Sequence, residues 1–325
     1  MKKLLLGSAL AASVLFTGAS FAETKISGYL ETTYNTKKTD TASTAEIAGP
    51  GTIGHEGQIA MASSKALTNG LTMSAGFAIE QDTTTVVTDQ FLKLSSGGTS
   101  FAIGNDVSGV ADNVSHEDFT PNVAQDIHLT GVGGVDDVES VHGGNGLYLA
   151  HKTDMFTIEG VYAPSVTTDT TAASSSNGTS GSGYDLAIHG GFGVPGLKIG
   201  YGISEKTADT SSATDTEGRG MGIMYSTSGF TVGVGRVTNT DASSLDTENT
   251  SYGISYQVNK QITVAVTGGK QEKDGQATDT DYQTFQVGYD FGGLGITAGL
   301  YQVDNVGYAS GTDAETFEIR TVTKF

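Results

Sequence analysis

The sequence predicts an all-β chain: a sixteen-stranded antiparallel transmembrane β-barrel with short periplasmic turns and long extracellular loops. Three observations predict it. The last eleven residues, 315–325, alternate strictly, with Phe317, Ile319, Thr321, Thr323 and Phe325 on one face and Glu318, Arg320, Val322 and Lys324 on the other. Period two over such a length is a strand with two unlike faces, and about 9–11 residues is what a tilted strand needs to cross a bilayer. Beyond the N-terminus no run approaches the ~18–20 apolar residues of a membrane helix, so any crossing must use strands, and strands in lipid must close. Short turns and longer polar loops alternate along the chain, which keeps all short connections at one end.

The N-terminus reads as a secretory signal. Lys2 and Lys3 supply the positive start, residues 4–16 are apolar, and Ser20-Phe21-Ala22 is a small-x-small cleavage site. Residues 1–22 are expected to be removed, leaving a mature barrel of residues 23–325. Before cleavage, residues 4–18 are expected to form a detached or poorly packed helix.

The strands follow in order. The first covers 24–35, with Ile26, Leu30 and Tyr34 on one face and Lys25, Tyr29 and Glu31 on the other, and a polar loop is expected up to Ile53. The second, 55–65, meets the third, 71–80, across Thr68-Asn69-Gly70, a tight hairpin signal. Strands at 89–94 and 100–105 flank Gly97-Gly98. An irregular stretch, 106–145, comes next. Strands at 146–152 and 155–162 share Thr153-Asp154; those at 184–190 and 197–204 flank Gly193-Val194-Pro195-Gly196. Pairs at 219–225 with 230–238, 250–258 with 261–270, and 280–291 with 294–302 lead to the final strand at 315–325.

Composition agrees with this architecture. Gly is 46 of 325, Pro 4, Tyr 13 and Phe 13, which suits many close-packed strands. There is no cysteine, so disulfide frameworks and thiol chemistry are excluded. Removing Lys2 and Lys3 takes the formal charge from −19 to −21, which argues against nucleic acid as a partner.

The ending Thr-Val-Thr-Lys-Phe325 resembles the C-terminal assembly signal of bacterial outer-membrane β-barrel proteins. Over its whole mature length, the strand number, the signal and the position of the longest internal loop resemble the sixteen-stranded general porins. The resemblance implies an outer-membrane channel for ions and small hydrophilic solutes and a homotrimer joined through the outer faces of the early strands. Its implied surroundings are outer-membrane lipid and lipopolysaccharide, and its implied partner in biogenesis is the barrel assembly machinery, for which Phe325 is the expected signal. It also implies that the loop 106–145 folds into the barrel and narrows the pore.

That loop carries Asp106, Asp112, Glu117, Asp118, Asp126, Asp136, Asp137 and Glu139, and no Lys or Arg lies between Lys93 and Lys152. Fixed carboxylates in a narrow pore concentrate cations and repel anions. Phe119, Ile127, Leu129, Val132 and Val135 could pack the loop on the inner wall. The expected constriction residues are Glu117 and Asp118, then Asp112 and Asp126. Lys93 and Arg320 are expected on the opposing wall. Lys152 and Lys198 share the inward parity but lie near the periplasmic turns, and Arg219 and Arg236 are expected outward at the rim. The sparse basic wall predicts net cation preference.

Other chemistries leave weaker traces. Three of six histidines, His116, His128 and His142, lie in the acidic loop without metal-ligand spacing. No cofactor is expected, although Asp136, Asp137 and Glu139 could hold Ca²⁺ loosely. Gly191 to Gly196 fits G-x-G-x-x-G by letter, but it contains Pro195 and precedes a strand, so it reads as a hairpin. A surface adhesin or receptor acting through Thr/Ser/Asp-rich loops, or a barrel hydrolase using an outward histidine such as His151, are the alternatives. No Ser/His/Asp set stands out, and no enzymatic activity is expected.

Overall fold

The computed structural model describes residues 23–41, 44–48, 51–81, 85–105, 111–115, 117–121, 123, 145–164, 182–207, 215–240 and 243–325. The expected signal segment and its helix lie outside the described residues. The first strands are β1 (Glu23–Thr41), β2 (Thr44–Ala48), β3 (Thr52–Ala66), β4 (Thr72–Gln81), β5 (Thr85–Ser96) and β6 (Thr99–Asn105). After the inner loop come β7 (Asn145–Lys152), β8 (Phe156–Ala163), β9 (Gly183–Gly190), β10 (Leu197–Lys206) and β11 (Thr216–Thr227). The last are β12 (Phe230–Thr240), β13 (Asp246–Gln257), β14 (Ile262–Lys273), β15 (Thr280–Asp290), β16 (Leu294–Asp304) and β17 (Thr312–Lys324).

Every strand is antiparallel to its neighbours, and the sheet closes. β1 pairs with β17 from Tyr29↔Lys324 to Thr41↔Thr312, and with β3 from Glu23↔Ser64 to Asn35↔Thr52. The ring is therefore β1, then β3 through β17, sixteen strands, with β2 an extra short piece continuing the line of β3 along the upper part of β1. Closure leaves no edge to expose unpaired backbone groups.

Two expectations about the connections are corrected. The residues beyond Asn35 are not simply a polar loop. β1 runs on to Thr41, pairing with β17 on one side and β2 on the other. This stretch is rich in threonine, and β17, which pairs with it as far as Thr41↔Thr312, supplies a partner for its backbone. The alternation of short and long connections also has an exception. β4 ends at Gln81 and β5 begins at Thr85, so this link at the long-loop end is as tight as a hairpin. The β4–β5 register shifts between Gly76 and Ala78, and Asp89 sits at φ 53. An extra residue in one strand breaks period two, so the Thr-Val-Val-Thr run before Asp89 does not read as a continuation of the strand.

The two faces of the ring differ. Leu30, Leu149, Tyr252, Val266 and Phe285 point outward and are each more than half exposed. So continuous an apolar outer belt is a lipid-facing surface. The inner face is polar or small, with Ser251, Asn249, Thr267, Thr284 and Gln286 buried there. The short turns, residues 67–71, 97–98, 153–155, 191–196, 228–229, 258–261 and 291–293, share one end with Phe325. That single end fixes which wall residues lie near which mouth.

Candidate functional site

The inner loop is seated on glycine. Residues Ala111–Val114 and Glu117–Phe119 form single 3-10 turns inside the ring. Val114 and Phe119 have no exposed surface and cluster with Val161 of β8 and Ala187 of β9. The wall beneath them is Gly200 and Gly202 of β10, Gly222 of β11 and Gly233 of β12. A Cβ at Gly222 or Gly233 would overlap Phe119, and one at Gly202 would overlap Val114. Further along, Pro121 lies on Gly253 of β13, and a Cβ at Gly288 of β15 would overlap Val123. These strands lack side chains where the loop passes, which is the close approach that glycine alone permits.

Polar contacts fix the loop along the same track. Asn113 Nδ2 donates to Glu159 Oε1 at 2.6 Å. The same carboxylate accepts from Tyr148 Oη at 2.9 Å and lies 3.0 Å from His189 Nε2. Lys198 Nζ donates to the Asp118 backbone carbonyl at 3.0 Å and pairs with its carboxylate at 3.2 Å, with its ammonium 4.8 Å from the Phe119 ring centroid. Asp118 also accepts from Ser115 N–H at 3.1 Å. Burial pushes the Asp118 carboxyl above the usual carboxylate range, and Lys198 and Ser115 offset this only in part. Thr120 Oγ1 meets Ser251 Oγ at 2.6 Å, and Val123 N–H donates to Gln286 Oε1 at 2.8 Å.

The remaining inner wall carries its own charges. On β17, Arg320 pairs with Glu31 of β1, both almost fully buried. Tyr29 Oη donates to Glu56 Oε1 at 2.6 Å, and Glu80 on β4 and Glu318 on β17 share this wall. Lys93 of β5 faces inward, in register with Ser74 and with buried Ala102.

The expected site residues are thus placed as follows. Asp118 lies on the inner wall, and its cation is Lys198, not Lys93. Asp112 and Glu117 lie within the two 3-10 turns, but their side chains, like Asp126, Asp136, Asp137 and Glu139, lie outside the described residues. Arg320 points inward and is matched by Glu31. Arg219 and Arg236 face outward, paired with Glu217 and Glu248. Among the described residues no three His, Asp or Glu side chains converge as a metal site. His151 faces outward and meets Thr99 Oγ1 at 2.9 Å. The glycine track and the Glu159 hub were missed at the sequence level. The signal for the track was present: Gly200-x-Gly202, Gly218-x-Gly220-x-Gly222 and Gly233-x-Gly235 recur at inward parity on consecutive strands.

A family sequence model described as Gram-negative porin matches residues 9–321. In shape the chain is similar to the anion-selective porin from Comamonas acidovorans, with TM-score 0.69 and 13% identity over 94% of this chain and 100% of that one. It is similar to OmpT of Vibrio cholerae, with TM-score 0.66 and 14% identity over 96% and 100%. It is also similar to a mutant of the Rh. blastica porin, with TM-score 0.64 and 13% identity over 93% and 100%. At these identities the likeness carries the fold alone. No protein of curated function matches the sequence.

Proposed function

The chain belongs to the Gram-negative porin family and resides in the outer membrane, and from that membership we propose that it is a passive channel for ions and small hydrophilic solutes that prefers cations. The observation that carries the preference is the inner wall away from the short turns. There Glu31, Glu56, Glu80 and Glu318 share it with Arg320, where a strongly anion-attracting pore would need a basic ladder. Fixed negative charge beside a narrow aqueous path raises the local cation concentration. Asp112, Glu117, Asp118 and Asp126 add carboxylates through the inner loop, with Lys93 across the lumen as the opposing charge. The fold alone leaves the sign of selectivity open, since a porin of the same architecture is described as anion-selective.

The homotrimer is part of the same proposal. Thr32, His55 and Thr321 form a polar patch on the outer face between apolar Leu30 and Ile319. Polar groups there are better covered by another copy than by hydrocarbon.

The test is reversal potential across a planar bilayer in a KCl gradient, with wild type and with Glu117→Gln/Asp118→Asn. Wild type should prefer cations, the preference should fall in the double variant, and it should weaken as salt shortens the Debye length from ~10 Å at ~0.1 M to ~3 Å at ~1 M. An anion-preferring wild type would refute the sign of selectivity. A barrel that inserts but carries no current would refute the channel itself.

A further inference from the structure

The charges on the inner face are sorted along the pore axis. At the short-turn mouth the inward positions carry Lys25 on β1, Lys93 on β5, Lys152 on β7, Lys198 on β10 and Lys324 on β17. Lys198 is matched by Asp118. Lys93, Lys152 and Lys324 form no ion pair with any described residue. Two more lysines, Lys65 and Lys260, are exposed on the same rim. Among the described residues the other side-chain carboxylates there are Asp154 in a turn, Asp290, which turns to accept from the Gly292 N–H at 2.7 Å, and Glu159, which is engaged by Asn113, Tyr148 and His189.

Further toward the long-loop mouth the sign reverses. Glu31, Glu56, Glu80, Asp185 and Glu318 lie on the inner face, with Arg320 among them. Lys37, Lys206 and Lys273 come only near the outer rim, where Asp215, Asp274, Asp304 and Asp313 border the loops. An acidic chain thus keeps a basic inner mouth.

We propose that this lumen is electrically bipolar along its axis and that the channel therefore rectifies. The inference rests on the diffusion-channel reading and adds a direction to it. When voltage drives cations from the long-loop mouth to the short-turn mouth, each ion enters through the end that attracts it. Cations come in past carboxylates, anions past lysines, and both accumulate inside. With the opposite voltage each ion must enter past like charge, and the lumen is depleted of carriers. The effect needs a Debye length comparable to the pore, ~30 Å at ~0.01 M salt, and should vanish at ~1 M where that length is ~3 Å. Lys93, Lys152 and Lys324 are the residues that set it.

Single-channel current–voltage curves test this. In ~0.01 M KCl the currents at equal and opposite voltage should differ on the order of two-fold, and at ~1 M they should match. Orientation is marked with Lys152→Cys channels. A thiol-reactive polymer too large to pass the lumen changes their conductance only from the chamber that the short-turn mouth faces. Lys93→Gln/Lys152→Gln/Lys324→Gln should bring the ratio close to one, while Lys65→Gln, on the outer face of the same end, should leave it unchanged. A straight wild-type curve at low salt, the opposite direction of rectification, or a triple variant that rectifies like wild type would each overturn the proposal. If the triple variant does not insert, the wild-type curve and its salt dependence decide. A protein that conducts no current refutes the channel reading instead, and the two failures are distinct.

Discussion

Asp118 is a residue whose environment changes its chemistry. Its carboxylate is buried on the loop seat, with the Lys198 ammonium at 3.2 Å and Ser115 donating to it. Burial raises its pKa above the ordinary value of 3.8. A raised carboxyl pKa means the folded protein binds a proton more readily than the unfolded chain. That contribution to stability is fully present below the unfolded pKa and is lost as pH rises through the folded one. Above the folded pKa the Lys198 pair holds the charge; as pH falls through it, Asp118 neutralises and Lys198 is left positive on the wall. Cation preference should therefore drop in a step above the pH where ordinary carboxylates titrate, and Asp118→Asn should lack that step while starting from a weaker preference at neutral pH. Reversal potential measured against pH checks this, and identical profiles in wild type and variant would count against it. The acidic character of the loop was legible from its eight carboxylates. The identity of the cation was not, because Lys198 lies 80 residues away and parity alone offered Lys93 as well.

At the scale of elements, the loop and the strands beneath it are one fitted pair. Val114, Phe119, Pro121 and Val123 occupy the space that missing side chains leave on β10, β11, β12, β13 and β15. Close-packed contacts answer to a single methyl group, and inserting one costs about 1–3 kcal/mol. Gly288→Ala should therefore unseat the end of the loop, because its Cβ would overlap Val123 Cγ1, while Val123 Cβ lies 3.6 Å away. Val123→Ala removes the clashing atoms, so the double variant should recover the wild-type conductance and noise that the single glycine variant loses. Coupling between such contacting residues is typically about 0.5–3 kcal/mol. Additive effects in the double-mutant cycle would show that the two positions do not touch. Strand placement was largely legible, since alternation is a local property. It failed at β5, where the shift opposite Gly76 and the left-handed Asp89 interrupt the period.

For the whole molecule, closure is the decisive property. Phe325 N–H donates to Gly28 O at 3.0 Å, and Gly28 N–H donates back to Phe325 O at 2.9 Å, so the last residue completes the seam between β17 and β1. Its ring lies over Gly28, where a Cβ would meet it at 2.7 Å. Removing Phe325 deletes a backbone pair and the cover of that glycine at the point where the ring shuts. Deletion should reduce the heat-modifiable, folded form in outer-membrane fractions, with Phe325→Ala intermediate because it keeps the backbone pair. A deletion variant that assembles as wild type would remove Phe325 from any role in assembly.

The sequence alone determined the strand type, the closed transmembrane architecture and the acidic composition of the stretch 106–145. Period-two alternation, the absence of a further apolar run and the clustering of carboxylates are all read within a few residues of one another. Only the tertiary structure decided which groups meet. Arg320 finds Glu31 across 289 residues because the ends of the chain are neighbours in the ring. Asp118 finds Lys198, and Val123 finds Gly288, because the loop follows one track around the inner wall. Those meetings depend on register and closure, which join strands remote in sequence, and no local pattern encodes where a loop comes to rest inside a ring.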